Sequence, residues 1–248
     1  MKTVLVTGAA KRLGRAIALD LAAHGWDVAI HYNGSKDNAV SAAAEVKKLG
    51  RRATTVQADL GSEKDTADIV ARVARDIGPL TALVNSASIF ENDDWQTATR
   101  ASWDIHMNVN LRAPFVLSQA FARQLPKDQN GAIVNLLDQR LLKPTPEFMS
   151  YSLSRAGLGW LTITLAQALA PRIRVNAVGP GPTLKAAHQS QENFDNERKA
   201  TILGHGSDPE DIVGAVRYLI GAKAVTGQMI AADGGQHLIW QTADREDA

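Results

Sequence analysis

Thr7-Gly8-Ala9-Ala10-Lys11-Arg12-Leu13-Gly14 lies between an apolar run, Thr3-Val4-Leu5-Val6, and a segment with helical spacing near 13–24. A strand that enters a glycine-rich turn and leaves it as a helix is the first unit of an open parallel sheet. Gly8 permits the tight turn and Gly14 the close packing of helix on strand. Backbone N–H groups at such a helix start, with the helix dipole behind them, form a site for a pyrophosphate.

Outward from this stretch the alternation continues along the chain. Apolar runs near 2–7, 26–31, 53–57, 81–85, 131–137, 172–178 and 228–231 read as strands. Helical patterns near 13–24, 36–49, 63–77, 99–125, 150–170 and 209–221 lie between them, with a polar, helix-like insertion near 188–201. This pattern predicts an α/β fold: a single-domain, doubly wound, Rossmann-like parallel sheet of about seven strands with helices on both faces. Ligands then belong beyond the carboxyl ends of the strands. At 248 residues one domain, 1–248, is expected. Residues 183–206 are polar and long for a connection, which reads as a substrate lid. The tail 242–248 is expected to fray.

A net charge of +1 without a basic run gives no broad attraction to nucleic acid or membrane. Cysteine is absent, which removes disulfides, thiolate nucleophiles and Cys-based metal sites. The six histidines show no helical zinc spacing, so no metal is expected. No G-x-S-x-G occurs, which argues against a hydrolase elbow. The chain starts on a strand pattern without a signal-like or membrane-spanning stretch, and a cytoplasmic location is expected.

The ends of the strands supply the candidate ligand groups. Arg12 puts a cation in the glycine-rich turn, beside phosphate or in solvent. His31-Tyr32-Asn33-Gly34-Ser35, after the second strand, holds no carboxylate to repel a 2′-phosphate, which favours NADPH over NADH. His31 and Ser35 read as phosphate contacts or as turn residues. Asp59 reads as a partner of the adenine amino group or as the start of a turn with Gly61. Asn85-Ser86-Ala87-Ser88 offers small residues that let the backbone approach a cofactor, or a polar loop cap.

Of three tyrosines, Tyr218 lies in an apolar helical stripe and reads as core, and Tyr32 borders a strand. Tyr151 begins a long helix, and Arg155, four residues on, shares its face. A phenol titrates near 10, and Arg155 together with an oxidised nicotinamide ring is expected to lower it toward neutrality. Asp138 ends the fifth strand and is placed to face Tyr151; in a confined site a carboxyl and a phenol can pass a proton to substrate. Asp138 also reads as a cap carboxylate, Asn110 as a satisfied buried amide or a water-binding backbone site, and Phe90 as a stacking surface or a core ring.

Together the Thr7-Gly8-x-x-x-Arg12-x-Gly14 turn, Asn85-Ser86-Ala87-Ser88, Asn110, Tyr151-x-x-x-Arg155, Asn176-Ala177-Val178-Gly179-Pro180-Gly181 and Asp233-Gly234-Gly235 resemble the short-chain dehydrogenase/reductase family over nearly the whole chain. Arg12, Asp138 in place of the usual serine, and Gly179-Pro180-Gly181 are most similar to pteridine reductases and dihydromonapterin or dihydrofolate reductase relatives. The resemblance implies Tyr151 as proton donor, Asp138 as its partner and Asn110 in a water relay. It implies Ser88 and Phe90 against a pterin, with Arg12, Asp138, Tyr151 and Gly181 also lining the substrate. The dinucleotide set is then Gly8, Lys11, Arg12, Leu13, Gly14, His31, Tyr32, Asn33, Ser35, Asp59, Leu60, Asn85, Ser86, Ala87, Ser88, Tyr151, Arg155, Pro180, Gly181 and Thr183.

The family's Tyr-x-x-x-Lys stands here as Tyr151-x-x-x-Arg155; an arginine keeps the field but not the proton chemistry or reach of a lysine. Ser86, where asparagine is frequent, and Pro182 are milder departures. The reading is an NADPH-dependent short-chain reductase of a pteridine. The alternatives are a reductase of ketones or quinones, and a catalytically weak NADP-binding protein. A homotetramer is expected from the resemblance, with Leu238-Ile239-Trp240 as a contact.

Overall fold

The computed structural model describes residues 2–186 and 189–240, so the expected frayed tail at 242–248 lies outside the described residues. The strands are β1 (Thr3–Val6), β2 (Asp27–Tyr32), β3 (Ala53–Gln57), β4 (Ala82–Asn85), β5 (Gly131–Leu136), β6 (Ile173–Pro180) and β7 (Met229–Ala232). They form one sheet in the order β3-β2-β1-β4-β5-β6-β7, with every pairing parallel. The order reverses between β1 and β4, and the crevice at their carboxyl ends is the topological switch point.

The period-two alternation of the strands separates two cores. Val4, Val6, Val28 and Ile30 pack beneath α1 (Arg12–Ala23), α2 (Lys36–Lys48) and α8 (Pro209–Gly221). Leu5, Ala29, Leu83 and Ile133 pack beneath α3 (Glu63–Ile77), α5 (Ala113–Gln124) and α6 (Met149–Leu169). Helices therefore cover both faces of the sheet, which leaves its carboxyl rim for ligands.

The expected helix over 99–125 is divided. α4 (Arg100–Met107) runs into a π-helical turn, Asn108–Arg112, before α5 begins. Helical periodicity does not reveal a single inserted residue, and such π turns recur at functional sites. The insertion near 188–201 contains a shorter helix, α7 (Gln191–Lys199), capped by the Ser190 hydroxyl, which accepts from Asn193 N–H. Tyr218 is not core: it is 57% exposed, because the buried stripe of α8 is made by Ile212, Val216 and Leu219.

Candidate active site

Two side chains and one close backbone approach tie the first turn to its neighbours. Thr7 Oγ1 accepts from Ser86 N–H and Ala87 N–H at 2.9 and 3.0 Å, joining the β1 and β4 turns. Gly8 has φ +66°, and a Cβ there would come 2.9 Å from Ala87 Cα. Gly8 N–H in turn donates to Nδ1 of His31 at 3.1 Å, while Nε2 lies 3.2 Å from Ala58 O. Glycine is needed here both for its backbone conformation and for the close approach.

A cavity of about 810 Å³ opens along this seam. Every residue assigned above to the dinucleotide lines it except Tyr32, Ser35 and Asn85. A second space of about 390 Å³ adjoins it under residues 180–186, and Phe90, Asp138, Tyr151, Gly181 and Thr183 line both.

Tyr151 and Asp138 stand between the two spaces. Tyr151, on the first turn of α6, donates its hydroxyl to Asp138 Oδ2 at 2.8 Å. Asp138 is also the cap of a 3-10 turn, Gln139–Leu141: its Oδ1 accepts from Arg140 N–H at 2.8 Å, and Arg140 Nη1 lies 3.2 Å from Oδ2. One side chain thus caps the 3-10 turn and accepts from the Tyr151 hydroxyl. The Arg155 guanidinium lies 5.2 Å from the Tyr151 ring centroid and donates through Nη1 to Leu136 O at 3.0 Å. Its Nε is buried without a hydrogen-bond partner.

Arg155 acts on the phenol in the expected direction, but burial outweighs it. Burial pushes Tyr151 up to about 12; Asp138 adds to that shift and the Arg155 charge only opposes it.

Several predicted residues have different partners from those expected. His31 is buried with both ring nitrogens engaged within the protein, so it holds the glycine turn instead of reaching a phosphate. Burial lowers its pKa to about 4. Asn85 points away from the cavity into a buried amide ladder: its Nδ2 donates to Asn135 Oδ1, and Asn135 Nδ2 donates to Thr162 Oγ1 on α6. The Asn110 side chain is a satisfied buried amide, one of its two sequence readings. Its Oδ1 accepts from Ile89 N–H, and its Nδ2 donates to Ile89 O and Ser154 Oγ. Ser35 precedes α2 without a side-chain capping bond, and Asp59 accepts from Gly61 N–H at 2.9 Å while lining the cavity.

Arg12 lines the cavity in a left-handed conformation, φ 53°, and its guanidinium donates to Lys185 O and Leu184 O at 2.9 and 3.0 Å. Those carbonyls belong to the polar segment after β6. Gly181 is explained by packing, since a Cβ there would lie 2.6 Å from Asp233 Cα. Ser88 lines the cavity with its hydroxyl donating to Ile89 O. Among the described residues no group of three or more His, Cys, Asp or Glu side chains could hold a metal ion, and no helix is long and apolar enough to cross a membrane.

Residues 8–237 match the profile of a protein family described as Enoyl-(Acyl carrier protein) reductase. The chain is 33% identical over 242 residues to the 3-oxoacyl-[acyl-carrier-protein] reductase FabG of Staphylococcus epidermidis, covering 96% of this chain and 99% of that one. It belongs to the short-chain dehydrogenase/reductase family. Among solved structures, this short-chain oxidoreductase is similar to FolM alternative dihydrofolate reductase 1 from Brucella suis in complex with NADP, at 46% identity and TM-score 0.95, covering 98% of each chain. The Brucella canis FolM structure, complexed with NADP, is 45% identical with TM-score 0.95, covering 98% of this chain and 97% of that one.

Three features of the short-chain reductase suit a nicotinamide dinucleotide. The glycine turn presents backbone N–H groups at the start of α1, the cavity lies in the size range of cofactor sites, and the orphan Nε of Arg155 is left for a further acceptor. Sequence reasoning missed two side chains of the site. Phe148, at φ 55°, stacks on Phe90 with centroids 4.5 Å apart and planes 9° from parallel. Arg140 lies over both rings, 5.6 and 5.2 Å from their centroids. Its place two residues after Asp138 was the only available signal; the aromatic pair joins residues 58 positions apart and leaves none.

Proposed function

We propose that this short-chain reductase uses NADPH to reduce a dihydropteridine, of the dihydrobiopterin, dihydromonapterin or dihydrofolate type. The observation that carries the reading is the Tyr151–Asp138 hydrogen bond beside the Phe90 ring, at the junction of the two spaces. A ring C=N gains a hydride at carbon and a proton at nitrogen. NADPH supplies the hydride when bound. A phenol held protonated by burial suits the second role: Tyr151 gives its proton to the ring nitrogen, and Asp138, anchored by Arg140, orients the hydroxyl. The stacked Phe90–Phe148 pair supplies an aromatic wall for a heteroaromatic ring. Gly8, Gly14 and Arg155 hold the dinucleotide, and the absence of a carboxylate after β2 accommodates its 2′-phosphate. The likeness to FolM structures that contain NADP supports both parts.

Residues 183–206 act as the lid over this site, Arg12 holding their first carbonyls. A homotetramer is supported by the exposed Leu153, Trp160 and Ile163 on α6 and by exposed Leu238 and Trp240. A cytoplasmic location accords with the lack of cysteine.

The FabG likeness favours a second reading, reduction of a β-ketoacyl thioester. Asp138 separates the two, because ketone reduction needs a neutral hydroxyl to polarise the carbonyl and has no use for a carboxylate at that point. The test is the rate of NADPH oxidation with dihydropteridines, β-ketoacyl thioesters and quinones in parallel. Turnover with a dihydropteridine at least tenfold above the others, by roughly 1.4 kcal/mol of transition-state preference, is expected. Turnover confined to the thioesters or quinones overturns the reading, and none with any substrate leaves only a binding protein.

A further inference from the structure

We infer that Asp93 is a positioning residue for Tyr151, acting through Ser150 and the first turn of α6. The inference rests on Tyr151 being the proton donor of the proposed reaction.

The N–H groups that open a helix have no partner within it. Here three consecutive ones, immediately before Tyr151, are taken by two neighbouring residues of another segment. Phe148 N–H donates to Asn92 Oδ1 at 3.1 Å, Met149 N–H to Asp93 O at 2.9 Å and Ser150 N–H to Asp93 Oδ1 at 2.9 Å. The same segment carries Phe90, so one connection sets both the aromatic wall and the start of the catalytic helix.

The side chains add a second tier. Ser150 Oγ donates to Asp93 Oδ2 at 2.5 Å, and Ser102 Oγ donates to the same oxygen at 2.8 Å. Glu91 N–H donates to His106 Nε2, which leaves the proton of a neutral ring on Nδ1, and that nitrogen lies 2.7 Å from Ser150 Oγ. Donation therefore runs from His106 to Ser150 to Asp93. The His106 ring also meets Tyr151 edge-on, centroids 6.1 Å apart. Burial alone would raise the Asp93 carboxyl, but bonds from Ser150 and Ser102 outweigh it and hold the group below its ordinary value.

Asp93, Ser150 and His106 are buried, and none lines either space at the active site. Their effect on chemistry must pass through the placement of Tyr151. A helix start needs only one short polar cap. A buried carboxylate fully bonded to the residue before the proton donor sets the height of the phenol against Asp138, where small errors are expensive.

The test compares Asp93→Asn and Ser150→Ala in the wild-type and Tyr151→Phe backgrounds, by kcat and KM with a dihydropteridine and by NADPH affinity from cofactor fluorescence. In the wild-type background Asp93→Asn is expected to lower kcat about 10- to 100-fold, the cost of misplacing a reacting group by about 1 Å, with NADPH affinity unchanged. In the Tyr151→Phe background it is expected to cause no further loss. An unchanged kcat, an equal loss in both backgrounds, or a parallel loss of NADPH affinity overturns the inference. Ser150→Ala keeps the main-chain bonds and carries the same comparison if Asp93→Asn does not fold. Labelled-tyrosine NMR, with Tyr151 assigned from Tyr151→Phe, reads ring position without turnover: its signals are expected to move in Asp93→Asn. If the wild type reduces no pteridine, the proposed function falls while unmoved signals separately overturn the role of Asp93.

Discussion

The hydroxyl of Tyr151 donates to Asp138 Oδ2 at 2.8 Å, while Asp138 Oδ1 accepts from the main chain of Arg140. One carboxylate thus ties α6 to the turn that follows β5. The phenol, pushed up to about 12 chiefly by burial, stays protonated through the neutral range and into alkali. Tyr151→Phe is expected to reduce single-turnover reduction by about 10²- to 10⁴-fold, the usual value of a placed proton donor, with unchanged NADPH affinity. In the wild type, the rate of the chemical step is expected to show no fall between pH 7 and about 9, since ionisation of a group near 12 lies above that window. A rate that drops there with a pKa near 8 would assign the proton to another group.

Acid sensitivity should trace to His31. Its pKa is lowered from 6.5 to about 4, mainly by burial, so the folded state binds its proton less readily than the unfolded state. For a group depressed in this way the contribution is fully present above the unfolded value and is lost as pH falls toward the folded one. Between pH 6.5 and 4 the loss is about 3 kcal/mol by linkage. Urea unfolding across that range should show this slope in the wild type and a flatter one in His31→Asn, which keeps an acceptor for Gly8 N–H. Parallel slopes would remove His31 as the source.

Gly8 is a further point of weakness. Gly8→Ala places a Cβ 2.9 Å from Ala87 Cα at a φ of +66°. Left-handed backbone and overpacking together are expected to cost about 2–4 kcal/mol of stability. Because the Ala87 turn must retreat, calorimetric NADPH affinity is expected to fall at least about tenfold as the phosphate-binding amides lose their alignment. A stable variant with full affinity would show that the seam between β1 and β4 is not tight in solution.

Arg12 bonds the carbonyls of Leu184 and Lys185 in the segment after β6. Removing a charged donor of this kind costs about 1.5–3 kcal/mol. Arg12→Ala is therefore expected to speed hydrogen exchange across residues 183–186 by about tenfold or more, without change in the core strands. Exchange that matches the wild type would mean this segment is held by its own contacts, such as Thr183 to Ser207.

The strand–turn–helix unit at Thr7 to Gly14, the seven strands and the switch point were legible in the sequence alone, because they rest on hydrophobic period and turn chemistry within a few residues. So was the pairing of Tyr151 with Asp138, which a family resemblance and a strand end placed on one rim. What His31, Asn85, Asn110 and Arg12 bind was decided only by tertiary structure. Each has a polar side chain with several allowed partners, and the one chosen comes from a distant segment: Gly8 for His31, Asn135 for Asn85, Ile89 for Asn110, Leu184 for Arg12. The Phe90–Phe148 stack and the Asp93 clamp on α6 are of the same kind. Local sequence sets which groups need a partner, and the packing of remote elements sets which partner arrives.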